Sequence, residues 1–390
     1  MMRKSFFQFS LLISVLLCAC AGESQNSSIT TIESTSNISS SKSESTSSLV
    51  PSNTTSSFLT SSSSQKETLD DFLTTEKCAS FMDRGYLPLY KDINFKNGFI
   101  LSKTSTKAEG GPHYKEYLKY YEETKEITPT WTLAQWGTRH DLYNNYALTR
   151  SEDGFTYSYS CLGGKSSNGM FISAKRLQLN SKTGEIDLEL NAETEYDAPR
   201  KKGEDWPCIL LSQTFQNNLI HIASSRSIVM EAEFEITKFE DKMGASAVQN
   251  LHAAQFVWYI TLQNRNKQSK DYGRYIWLGV PLWDNRNAGK ETELFAQVDE
   301  GTSAMMYNSS TRAYYDQSNN SKMPLAHQKA KATFEVMKVA RVAYDYAISH
   351  GFLGSTEFEE LYIGGTNFGF EVPGTYNIGV HIDNIGVYYK

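Results

Sequence analysis

Two groups of side chains in this 390-residue chain have the types and spacing to do chemistry. In Gly184-Glu-Ile-Asp-Leu-Glu189, read at a period of two, Glu185, Asp187 and Glu189 share one face of a strand, with Ile186, Leu188 and Leu190 on the other. Paired carboxyl groups suit hydrolysis of a glycosidic bond. One donates a proton to the leaving oxygen while the other attacks or activates water, and the retaining version wants them about 5–5.5 Å apart. Residues i and i+4 of a strand stand about 13 Å apart at Cα, so long side chains on a curved strand would have to close the gap. The same alternation also describes a solvated strand with its charges outward.

The second group lies in His252 to Asp284. Ala254, Phe256, Trp258, Ile260 and Leu262 alternate there with Gln255, Tyr259, Thr261, Gln263 and Arg265. A polar connection from Asn264 to Asp271 leads to a second run, in which Ile276, Leu278 and Val280 alternate with Tyr275 and Trp277. This reads as a hairpin inside a sheet, one face packed in the core and the other offering Gln255, Tyr259, Gln263, Arg265, Tyr275, Trp277 and Asp284, continued by Arg286. Aromatic plates suit the apolar C–H faces of sugars, and planar amide and guanidinium donors suit their hydroxyls. An ordinary solvent face or a second buried layer would look the same. Asp284-Asn-Arg-Asn287 offers oxygens to a structural calcium ion, or simply makes the turn after the strand. No other metal or cofactor is expected: the seven histidines show no His-x-His or i,i+4 pair. Cys161-Leu-Gly-Gly-Lys-Ser166 lacks the first glycine of a phosphate loop, Tyr159 standing in its place. No Gly-x-Ser-x-Gly elbow is present.

The elements that must position these groups are mostly strands, expected at Phe155–Cys161, Met170–Leu179, Glu185–Ala192, Cys208–Phe215, Ile228–Lys238, His252–Asn264, Tyr275–Leu282, Ala304–Tyr307, Tyr362–Val372 and Tyr376–Tyr389. Strands at such short intervals imply a sandwich or barrel. Residues 67–390 are expected to form one β-sandwich domain whose N-terminal part is helical or irregular, with short helices opening at Thr68 and covering His113 to Glu123. Trp131 to Trp136 reads as an anchor packing on the sheet. One strong helix is expected over Ala332 to His350, stopped by Gly351. Ending on a core strand and Ile385-Gly-Val-Tyr-Tyr389 resembles the close of concanavalin A-like jelly rolls, which implies a jelly-roll sandwich but licenses no function.

Arg3 and Lys4 precede an apolar run from Phe6 to Leu17, which reads as a secretion signal and is short for a membrane span. Leu17-Cys-Ala-Cys20 resembles the lipobox of bacterial lipoproteins. That resemblance implies removal of residues 1–19, lipidation of Cys20, and a membrane-anchored, extracytoplasmic place on the bacterial cell surface. Two or more acyl chains would anchor the protein stably. The Ser/Thr-rich stretch within 20–66 has little to bury and reads as a disordered tether, about 40 Å in root-mean-square reach. Losing Arg3 and Lys4 takes the formal charge from −6 to −8. Such an acidic chain is a poor partner for nucleic acid. Cys78, Cys161 and Cys208 would then remain, allowing at most one disulfide.

Glu185-x-Asp187-x-Glu189 also resembles the signature of laminarinase- and lichenase-type glycoside hydrolases. Carried over, the resemblance implies Glu185 as nucleophile, Asp187 as the residue tuning the pair and Glu189 as acid/base. This chain departs from the pattern by lacking Trp-Pro just upstream; its Trp206-Pro207 lies downstream. The expected function is carbohydrate binding by the β-sandwich. The alternatives are a glycoside hydrolase or polysaccharide lyase using paired carboxylates, and an adhesin or structural surface protein.

Overall fold

The computed structural model describes residues 76–103, 114–118, 129–143, 145–166, 168–215, 220–299, 302–316 and 321–390. The signal segment, Cys20, the tether and the helix expected from Thr68 lie outside them.

Among the described residues two sheets face each other. The eight-stranded sheet runs in the order β16 (Lys329–Glu335), β11 (Ile228–Asp241), β18 (Tyr376–Tyr389), β8 (Ile186–Asn191), β7 (Lys175–Asn180), β6 (Thr156–Cys161) and β5 (Tyr146–Arg150), with β1 (Leu87–Pro88) also paired to β18. The ten-stranded sheet runs β14 (Phe295–Val298), β15 (Met305–Asn308), β13 (Tyr275–Asp284), β12 (Gln255–Asn264), β17 (Leu361–Glu371), β9 (Cys208–Thr214), β4 (Trp131–Gln135), β2 (Phe99–Lys103) and β3 (Tyr114–Leu118), with β10 (Ile220–His221) also on β17. The chain repeatedly crosses between the sheets: β8 to β9, β11 to β12, β16 to β17, then β18. This is a β-sandwich of the jelly-roll type, mostly β with few helices.

Alternation explains the layers. Along β12, Phe256, Trp258, Ile260 and Leu262 are at most 1% exposed and point at the other sheet. Phe234 of β11 meets Phe256 at 5.3 Å between ring centroids, and Phe239 meets Trp283 at 5.2 Å, so the two inner faces interdigitate. A polar knot in this layer is closed on itself: Trp258 Nε1 donates to Tyr90 Oη and Thr366 Oγ1, and Thr366 donates to the Tyr259 carbonyl.

Three expectations are corrected. Residues 114–118 form β3, antiparallel to β2, and not a helix; tyrosine favours strands and an available partner strand outweighs weak helical propensity. Trp131 to Gln135 is a strand within the sheet, parallel to β2 and antiparallel to β9, where an anchor on the sheet was expected. The strong helix is shorter than its expected span: Lys329 to Glu335 pairs with β11, burying Ala332 and Phe334 at a period of two, and α2 covers Val336–Ser349. Glu335 is its N-cap, accepting from Met337 N, and Gly351 follows at φ +78°, as a helix stop requires. The remaining described helix, α1 (Glu76–Met82), places Phe81 flat on Tyr388 at 3.9 Å. Cys161 and Cys208, whose pairing the sequence left open, are both unbridged and buried.

Candidate functional site

The hairpin expected from His252 to Asp284 is β12 and β13, antiparallel, with Tyr259 opposite Gly279, Thr261 opposite Trp277 and Gln263 opposite Tyr275. Residues directly opposite on paired strands share a face. Gln255, Tyr259, Thr261, Gln263, Tyr275 and Trp277 therefore stand together on the outer face of the ten-stranded sheet, as the periodicity implied. Gly279 keeps that face flat where it must be, for a Cβ there would come within 2.1 Å of Asn308 Oδ1 and 2.6 Å of the Tyr259 ring.

Much of this outer face is covered. Trp136, Cys208, Leu210, Val257, Tyr259, Trp277 and Ala304 form an apolar cluster of their own, with Trp206 and Tyr275 packed against it. Tyr275 and Trp277 meet edge to face at 5.0 Å, and Tyr259 and Trp277 at 5.9 Å. Two loops bring in the parts that do not belong to the sheet. Trp136 follows β4, and its carbonyl accepts from Cys208 N at 3.0 Å. Gly137 lets this loop lie against Trp206, whose carbonyl would sit 2.0 Å from a Cβ. Ala304 comes from the turn between β14 and β15, which is closed by Asp299 N donating to the Ala304 carbonyl at 2.8 Å.

Polar atoms end blind here. Among the described residues Trp136 Nε1, Trp206 Nε1, Asn308 Oδ1 and Asn367 Oδ1 are buried without a hydrogen-bond partner. Asn367 lies opposite Tyr259, and Asn308 opposite Gly279, so both amides belong to one row across the strands. Buried polar groups are rarely left unsatisfied, so these atoms beside aromatic rings mark this face as the candidate site.

The charge lies two rows further along this face, beyond Val257, Gly369 and Leu210. Asp284, Gln255, Glu371 and Cys208 stand side by side on β13, β12, β17 and β9. Gln255 Nε2 donates to Asp284 Oδ2 at 2.9 Å. Asp284 also accepts from Arg286 N and Nε at 2.9 Å each, in a paired arrangement that leaves the carboxylate fully occupied by protein donors. Asp284 and Arg286 thus orient Gln255, and the turn needs no calcium ion to hold it. Burial pushes the Glu371 carboxyl from its ordinary 4.5 up to about 7, and the charge of Asp299 adds to the effect. Asp299 is itself buried and is held by Thr302, whose backbone N donates to Oδ2 at 3.2 Å. A carboxyl half-protonated near neutrality, beside a second carboxyl, can serve as an acid.

The Glu185 stretch lies elsewhere. Asp187 and Glu189 are on the outer face of the eight-stranded sheet, as the alternation implied, and are occupied: Arg176 Nε donates to Glu189 at 3.0 Å, while His381 Nδ1 and Gln178 Nε2 reach Asp187 at 2.9 and 2.8 Å. Glu185 sits just before β8, its backbone N donating to Thr183 Oγ1. The structure brings none of the three to the aromatic face. Gln263 likewise spends its amide locally, donating to the Gly273 carbonyl at 2.6 Å and lying across Gly364. Arg265 stands just beyond the end of β12. Sequence reasoning missed Glu371, Asp299, Trp136, Trp206, Asn308 and Asn367; of these only Glu371 left a signal, as an acid on the polar side of the strongly apolar run Tyr362–Val372.

No protein-family model matches the chain, and no curated protein matches it. Among solved structures it is similar to a family 12 xyloglucanase from Bacillus licheniformis in complex with ligand, at 13% identity over 63% of this chain and 98% of that one, with a TM-score of 0.34. It is also similar to the endoglucanase Cel12A from Rhodothermus marinus, at 12% identity over 63% of this chain and 96% of that one, with a TM-score of 0.32. For endoglucanase 3 of Trichoderma harzianum, from family GH12, the values are 11%, 63%, 95% and 0.29.

Proposed function

We propose that this protein binds a polysaccharide chain on the outer face of its ten-stranded sheet, and does so at a bacterial surface, held there by lipid on Cys20. The observation that carries the reading is the one row in which buried, unpartnered Asn308 and Asn367 flank Tyr259, beside the indoles of Trp136, Trp206 and Trp277. Sugar hydroxyls supply both donors and acceptors to such atoms, and their ring faces stack on aromatics. The test is calorimetry of the chain from residue 67 with a panel of neutral β-glucans, host glycans and cell-wall polysaccharides. Trp277→Ala is expected to weaken binding at least tenfold, about 1.4 kcal/mol; unchanged affinity in Trp277→Ala and Asn367→Ala would remove this face from the reading.

A second reading, cleavage of the bound glycan, is favoured by Glu371 and Asp299. Glu371 in its protonated form would donate to the glycosidic oxygen. The position directly across from it on β12 is Gln255, an amide, so a carboxylate to activate water would have to be Asp299. Release of reducing ends, abolished in Glu371→Gln and falling as pH rises through about 7 because the acid form is lost, is the expected result. Binding without release of reducing ends from any glycan of the panel would leave the first reading alone.

A further inference from the structure

Three other arginines with covered guanidinium groups are each held in place: Arg176 by Glu189, Arg286 by Asp284, and Arg200 by the Glu204 carbonyl and the ring of Trp206. Arg265 is not. Its Nε is buried without a hydrogen-bond partner, it makes no ion pair among the described residues, and burial holds its guanidinium below the usual range. Arg265 is anchored only by its backbone, whose N donates to the Glu360 carbonyl at 3.0 Å. A cation taken partly out of water without a partner is costly, and the fold offers nothing in return.

Its place gives the reason. Arg265 follows Gln263 at the strand period of two, and Gln263 has Tyr275 opposite on one side and Tyr362 on the other. Continued one step past the strand end, this alternation puts Arg265 on the side of the aromatic cluster, at the end of β12 away from Glu371 and next to Tyr272. From Gln255 to Arg265 is ten residues, about 33 Å along the strand. That is several times the Debye length of about 8 Å, so an anion at Arg265 is screened from Glu371.

We propose that Arg265 is the anion-recognition point of this face, taking the carboxylate of an acidic sugar in a largely neutral glycan. A guanidinium presents donors in a planar fork that matches a carboxylate. The distance from Glu371 selects for isolated carboxylates, since a densely anionic chain running along the face would be repelled there. This inference rests on the polysaccharide reading, and its test separates the two.

The probes are glucuronoxylan oligosaccharides, the same oligosaccharides after reduction of their carboxyl groups, and a sulfated xylan. Binding is measured by calorimetry to the full chain and to its Arg265→Ala and Arg265→Lys variants, each checked for native circular dichroism. The expected result is at least tenfold tighter binding of the carboxylated form, lost in Arg265→Ala with affinity for the reduced form unchanged, and partly kept in Arg265→Lys. Equal affinity for both forms, or a preference that survives Arg265→Ala, overturns the inference while leaving polysaccharide binding in place. Tighter binding of the sulfated chain overturns the choice of carboxylate. No binding of either form overturns both.

Discussion

Glu371 shows how one residue acquires a property its type does not have. A glutamate on the apolar strand that also carries Phe368 and Phe370 loses water on folding, and Asp299 discourages its charge further. Between pH 4.5 and about 7 the folded chain holds a proton that the unfolded chain has released, so this group's contribution to stability falls as pH rises through that window. The cost above pH 7 is on the order of 3 kcal/mol. Glu371→Gln removes it. The melting temperature of that variant is expected to match the parent near pH 4 and to exceed it by several degrees at pH 8; a difference independent of pH would show that Glu371 is not held protonated by its surroundings.

At the scale of elements, the loop that carries Trp136 is fixed by a buried charge. Lys175 on β7 is fully buried, and its Nζ reaches the Glu195 carboxylate at 3.3 Å, the His140 carbonyl at 2.5 Å and Thr138 Oγ1. Glu195 in turn accepts from Thr138 Oγ1 at 2.6 Å and from Arg139 N. These contacts pin residues 138–140 immediately after Trp136, so a core ion pair positions a side chain of the aromatic face. Lys175→Ala leaves Glu195 buried and uncompensated and is expected to cost about 3–5 kcal/mol in urea unfolding, whereas Lys175→Met with Glu195→Gln recovers most of it. Equal losses in the single and double variants would count against the pair as the fixing element. Strand β17 is equally exacting at Gly369, where φ is +145° and a Cβ would meet the Ile209 carbonyl at 2.2 Å. Gly369→Ala is expected to lose on the order of 3 kcal/mol, read by thermal unfolding, while Gly354→Ala, with open space around it, stays near the parent.

For the molecule as a whole, the division of labour between the sheets is the main result. The eight-stranded sheet satisfies its outward charges within itself, as with Arg176 and Glu189 or His381 and Asp187. On the outer side of the ten-stranded sheet, the indole nitrogens of Trp136 and Trp206 and the amide oxygens of Asn308 and Asn367 are buried without a partner among the described residues. A ligand is therefore expected on one side only, and Glu189→Gln is predicted to leave glycan affinity unchanged in the same calorimetric assay that Trp277→Ala disturbs. If the lipid on Cys20 holds this assembly at a membrane, Cys20→Ala in the full chain shifts the protein from the membrane fraction to the medium; retention at the membrane would refute the anchor.

The sandwich and the β12–β13 hairpin were legible in the residues alone, because alternation at a period of two is a local property that burial on one face writes directly into them. The same alternation put Gln255, Tyr259 and Trp277 on one face. The short strands β2, β3, β5 and β14 left weak patterns, and β16 was absorbed into the helix that follows it, since seven residues paired only on one side carry little period of their own. Which carboxylates influence one another became visible only in the fold. The close spacing of Glu185, Asp187 and Glu189 in sequence suggested a pair, yet Asp187 and Glu189 are taken up locally, while the charge of Asp299, from another segment, bears on Glu371. Proton affinity and partnership depend on what the fold places around a group, and that information is spread across segments far apart in the chain.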